Sequence, residues 1–184
     1  MEFVACFPHL IRSIALLAPV GLLRTMPGVY EDLRQAARNG TNEPELRKML
    51  GGVLGVDDEV NTDNEADAHA VALKRWQYEH HQGHPTSFVS TLVNGPLQDQ
   101  HEVWREACEG LKGKKGTRQG KEKLVAICGA EDNVVPAQHV KEDLDDMMGS
   151  DNYVFAKVPG DHGFLMDDGA CKKVVDMLMA EWEL

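Results

Sequence analysis

Three short apolar runs, each closed by turn-forming residues, limit what this chain can fold into. They are SIALLAP (Ser13 to Pro19), LVAIC (Leu124 to Cys128) and YVFAKV (Tyr153 to Val158). A run that is apolar at consecutive rather than alternate positions suits a strand covered on both faces, as in a parallel sheet. Between the second and third runs, Pro136 to Met148 carries Val140, Leu144 and Met147 at helical spacing, with Pro136 placed as a first helical residue. After the third run, Asp168 is placed to cap a last helix whose Cys171, Val174, Val175, Leu178 and Trp182 form an apolar stripe. Strand, helix, strand, helix implies an α/β fold, with parallel strands of a single sheet joined by right-handed crossovers.

The rhythm is interrupted from about Thr25 to Leu111. Helical patterns such as YEDLRQAARNG (Tyr30 to Gly40) and AHAVALKRWQYEHH (Ala68 to His81) occur there, with no convincing strand, and they predict a helical insertion over 25–111. Within it Gly55 to Asp67 is acidic and polar, lacks the spacing of a calcium loop, and reads as a solvated linker. The basic, glycine-rich Gly113 to Lys123 reads as a surface loop before the second strand and does not meet the phosphate-loop pattern. At the other end, MEFVACF (Met1 to Phe7) looks like the last turns of an apolar helix, because no capping residue precedes it.

Size and composition bound the function classes. The chain has 184 residues, 42% of them apolar, enough for a folded domain with a substantial core. A formal net charge of -11 without a broad basic face argues against nucleic acid or an anionic membrane as the main partner. The apolar stretch Leu10 to Leu23 is broken by Arg12, Ser13 and Pro19 and is too short to span a bilayer. Cys6, Cys108, Cys128 and Cys171 are widely spaced with no C-x-x-C pair, the usage of a reducing compartment such as the cytoplasm.

Two segments carry chemistry. AICGAEDNVVP (Ala126 to Pro136) places acids just past the second strand, and VPGDHGF (Val158 to Phe164) places His162 between glycines just past the third. Ligands of an open parallel sheet gather at the carboxyl ends of its strands. One strand-helix-strand crossover separates Asp132 from His162, so adjacent strand ends bring both to one rim. Taken alone, an Asp after a strand is usually a turn or cap residue, and a His among glycines is usually a surface loop residue. The cluster His80, His81 and His84 shares helical spacing, but Gly83 and Pro85 end the helix there, favouring solvated histidines over a metal site. None of Ser13, Ser87, Ser90 and Ser150 sits in an elbow of the form G-x-S-x-G, a motif these residues lack altogether.

Together the two segments resemble the acid and histidine limbs of the α/β-hydrolase triad. FPHLIRSIALLAPVGL (Phe7 to Leu22) is similar to the stretch after the nucleophile helix of that family, where the sixth strand ends in a proline-glycine turn leading into the cap. The resemblance implies a core of about three strands from residues 1–24 and 112–184 and a helical cap from 25–111. It also implies Asp132 as triad acid and His162 as general base. Glu131 and Asp161 are the neighbouring alternatives, set aside because the family pattern counts the acid as fourth from Gly129 and puts the histidine before Gly163. The implied parent activity is hydrolysis of a small-molecule ester, amide or related bond without metal or organic cofactor. Its nucleophile, Ser, Asp or Cys, lies outside these residues, as do the oxyanion amides, so the chain by itself is expected to be inactive. The rival expectations are a binding or regulatory module that keeps only the crevice, and a reading frame of which Met1 is an internal methionine. In either case the first strand is expected to be an exposed edge prone to self-association.

Overall fold

The computed structural model describes residues 1–56, 65–112 and 124–182. The greater part of the acidic linker, residues 57–64, and the basic loop 113–123 lie outside the described residues. The chain divides into two compact units, Met1–Arg24 with Pro96–Leu184, and Thr25–Gly95. Among the described residues there are eight α-helices and three strands, and no helix is long and apolar enough to cross a membrane.

In the first unit, β1 (Ile14–Leu17), β2 (Leu124–Gly129) and β3 (Val154–Val158) form a parallel sheet in the order β1, β2, β3. Ile14 stands opposite Leu124, and Val125 opposite Val154. Every residue of β2 is buried, as its unbroken apolar run requires of a central strand. β1 and β3 depart from the expectation of strands covered on both faces: most of their positions are half-buried, and Leu17 and Lys157 are exposed. Each pairs with β2 alone among the described residues, and a flanking strand is less fully enclosed than a central one.

The core is built on β2. Val125 and Ile127 cluster with Val158, Phe164, Ala170 and Val174, and Met177 and Leu178 pack against them. α7 (Ala137–Met148) buries Val140, Leu144 and Met147 as its spacing predicts, with Ala137 and Met148 added. α8 (Asp168–Trp182) differs in two details. Its first turn is capped by Asp167, whose Oδ1 accepts from the Ala170 amide at 2.7 Å, one residue before the expected cap. Its buried line runs through Ala170 and Val174, while Val175 is 46% exposed.

α6 (His101–Lys112) corrects the far boundary of the insertion. It buries Trp104, Ala107 and Cys108 and contacts α1 (Glu2–Cys6) and α7, so it belongs with the sheet, and the second unit ends at Gly95 rather than near 111. The physical reason lies in the chain around Gly21. The Gly21 amide donates to Leu97 O at 3.0 Å, Leu23 to the same oxygen at 3.3 Å, and Gln100 to Gly21 O at 3.0 Å. These bonds tie the outgoing and returning strands of chain together before α6 begins.

The second unit holds α2 (Gly28–Arg38), α3 (Glu43–Leu54), α4 (Glu65–His80) and α5 (Gly83–Asn94), with Leu33, Leu50 and Leu92 buried. α3 is closed at both ends by recognisable devices. Asn42 Oδ1 accepts from the Glu45 amide at 3.1 Å, and Gly55 adopts φ 64°, the left-handed stop that favours glycine. α4 ends at His80 as its sequence suggests, and a further helix, α5, starts two residues beyond His81 with Pro85 in its first turn.

Candidate active site

The carboxyl ends of β2 and β3 bring Asp132 and His162 together. Asp132 follows β2 in the turn before α7, and His162 follows β3 in the turn before Phe164. His162 Nδ1 lies 2.9 Å from Asp132 Oδ2. A carboxylate only accepts, so Nδ1 is the donor, and in the neutral ring this fixes the tautomer with the lone pair on Nε2. The Asp132 side chain is fully buried and that of His162 is 44% exposed. Nε2 has no hydrogen-bond partner among the described residues.

Burial of a carboxylate demands compensation, and the turn supplies it. Asp132 Oδ1 accepts from the amides of Val134 at 2.8 Å and Val135 at 2.7 Å. One oxygen therefore holds the turn while the other orients the imidazole. This is the division of labour that a general base needs from its acid partner: fixed tautomer, fixed ring, and negative charge facing any imidazolium that forms.

The neighbouring acids have other partners. Asp161 Oδ1 accepts from the Gly163 amide at 2.7 Å, closing the turn that carries His162. Glu131 Oε2 accepts from the Gly160 amide at 2.6 Å. Gly129 lets the two turns approach. A Cβ there would run into the carbonyl oxygens of Gly160 and Asp161. Gly160 itself has φ 117°, a conformation that side chains rarely adopt.

Cys128 precedes the acid's turn but supplies no nucleophile. Burial, reinforced by the negative charge of Asp132, pushes its thiol up to about 11, so it stays protonated near neutrality. The histidines of the second unit have local partners of their own. His80 Nδ1 lies 3.1 Å from Trp76 O and its ring stacks on Trp76, while the His84 ring packs near Phe88. Among the described residues no three metal-ligating side chains converge. The Ser90 hydroxyl accepts from Asn94 at 3.4 Å, and the Ser150 hydroxyl donates to Asp151 at 3.4 Å.

The roles of Glu131, Gly129 and Phe164 escaped sequence reasoning. Each acts on chain some thirty residues away or on a turn whose path no local pattern prescribes. The glycine density of G-x-x-D and G-D-H-G was the available signal. Comparison with protein-family models finds no match for the chain, and comparison with curated proteins finds none either.

Proposed function

We propose that Asp132 and His162 are the acid and general base of an α/β-hydrolase-type triad. The single observation that carries this is the 2.9 Å contact between a buried carboxylate and a half-exposed imidazole at the ends of adjacent parallel strands. In the catalysed step, His162 Nε2 would take the proton of a nucleophile as it attacks the carbonyl carbon of an ester or amide. The imidazolium formed would face Asp132 and then return the proton to the leaving group. The helical unit 25–95, inserted in the chain between β1 and β2, takes the part of the cap. No G-x-S-x-G elbow occurs in these 184 residues, so on this reading they would turn over only with a nucleophile and oxyanion donors supplied to them.

Because the sequence holds no nucleophile elbow, a binding module that retains the crevice is the second reading. The test is to read the coding region ahead of the Met1 codon for an in-frame G-x-S-x-G, and to assay both the 184-residue chain and any longer product on a small activated ester. The account expects no saturable hydrolysis by the short chain above a His162→Ala control. It expects turnover by the longer one that falls by several orders of magnitude in Asp132→Ala or His162→Ala. Saturable turnover by the short chain alone, or a longer product indifferent to both substitutions, would overturn it. A stop codon upstream with no elbow would favour the module.

A further inference from the structure

We infer that Glu131 is a positioning residue for His162, clasping the turn that carries the imidazole to the turn that carries its acid. The inference rests on reading Asp132 and His162 as an acid-base pair. With 44% of its side chain open to solvent, His162 is not held by packing alone. Its placement beyond the Asp132 contact depends on the backbone leading to it.

That backbone is fastened to the acid's turn by a short ladder past the end of the sheet. The Ala130 amide donates to Val158 O at 2.7 Å, and the Glu131 amide donates to Gly160 O at 3.1 Å. The Gly160 amide then donates back to the Glu131 carboxylate at 2.6 Å. Glu131 thus binds both polar groups of one peptide residue, Gly160, two positions before the imidazole. On the far side of His162 the turn is closed by Asp161, which accepts from Gly163, and anchored by the buried Phe164, whose amide donates to Asp161 O at 3.1 Å. The side-chain half of the clasp comes from the residue beside the acid, so one tripeptide, Glu131 with Asp132 and its preceding Ala130, sets both partners of the pair. A charge-assisted bond of this kind is stronger than a neutral one, and its exposure to water reduces but does not remove that advantage.

The test uses the 184-residue chain with nitrogen-labelled histidine, following the His162 Nδ1 proton by NMR and the exchange rate of the Gly160 amide. In Glu131→Ala the low-field Nδ1 proton should weaken or vanish, and Gly160 exchange should rise on the order of fivefold, with circular dichroism unchanged. Glu131→Gln keeps an accepting oxygen and should restore both signals. A merely structural role for Glu131 would change stability without this rescue pattern. An Nδ1 proton unchanged in Glu131→Ala overturns the clasp. So does a Gly160 amide already unprotected in the unsubstituted chain, a measurement that stands even if Glu131→Ala fails to fold. If instead Asp132→Asn leaves the Nδ1 proton in place, the pair itself is absent and the underlying reading fails, a result separable from the first two.

Discussion

Asp132 does two jobs with two oxygens, and substitutions can separate them. Asp132→Ala strands the amides of Val134 and Val135 and removes the partner of His162, so it should cost about 2–4 kcal/mol. Asp132→Asn keeps an oxygen for both amides and should cost only about 1 kcal/mol, while turning an NH2 donor toward Nδ1 and so reversing the tautomer. Urea denaturation of the two variants checks the difference, and equal losses would mean the turn does not depend on Oδ1. Asp132 and His162 were legible in the sequence because each follows an apolar run by a few residues and the intervening stretch is one crossover long. Glu131 was not, since its partner is a backbone amide 29 residues away and nothing in its own neighbourhood names it.

Burial that follows one helical period is legible in α7 and only partly so in α8, where Val175 of the expected stripe is exposed. α7 shows its buried face in Val140, Leu144 and Met147. The cap of α8 fell one residue early, on Asp167, because Asp167 and Asp168 are equally good caps by residue type and only the path of the preceding turn chooses between them. Strand order agrees with the expected edge position of the first strand and the adjacency of the second and third, although the strings alone do not carry it. SIALLAP and LVAIC look alike as strings, yet one flanks the sheet and the other is its centre. The close approach of the β2 and β3 turns gives an opposed pair of expectations. Gly129→Ala should destabilise the sheet unit by about 1–3 kcal/mol, because the added methyl meets backbone carbonyls that have no room to retreat. Gly52→Ala, in the interior of α3 with open space around its Cβ position, should stabilise its unit by about 0.5–1 kcal/mol. Thermal unfolding of both variants measures the signs. A harmless Gly129→Ala would mean that the two turns are farther apart than the structure places them.

At the scale of the whole molecule, two thiols link stability to pH. Burial pushes Cys108 and Cys128 from an ordinary 9.0 up to about 11 in the folded chain. The folded state therefore holds protons that the unfolded state releases between those values. Stability is fully present below about pH 9 and falls as pH rises toward 11, the sign expected of a raised acid. Replacing both by Ser or Ala should flatten that decline, and denaturant midpoints at pH 8 and pH 10.5 would show it. An unchanged slope would place the alkaline sensitivity elsewhere. The division into units was half legible. The helical character of 25–95 shows in its spacing, but the return of α6 to the sheet depends on the Gly21 and Leu97 bonds, which join residues 76 positions apart. Everything functional in this account converges on one imidazole. Its most direct test is the nitrogen and proton NMR spectrum of His162 near neutral pH, identified by its loss in His162→Gln. In the neutral ring the proton should sit on Nδ1 at low field, leaving Nε2 bare, and that proton should disappear in Asp132→Ala. A neutral ring protonated on Nε2 rather than Nδ1, or an Nδ1 signal indifferent to Asp132, would contradict the account.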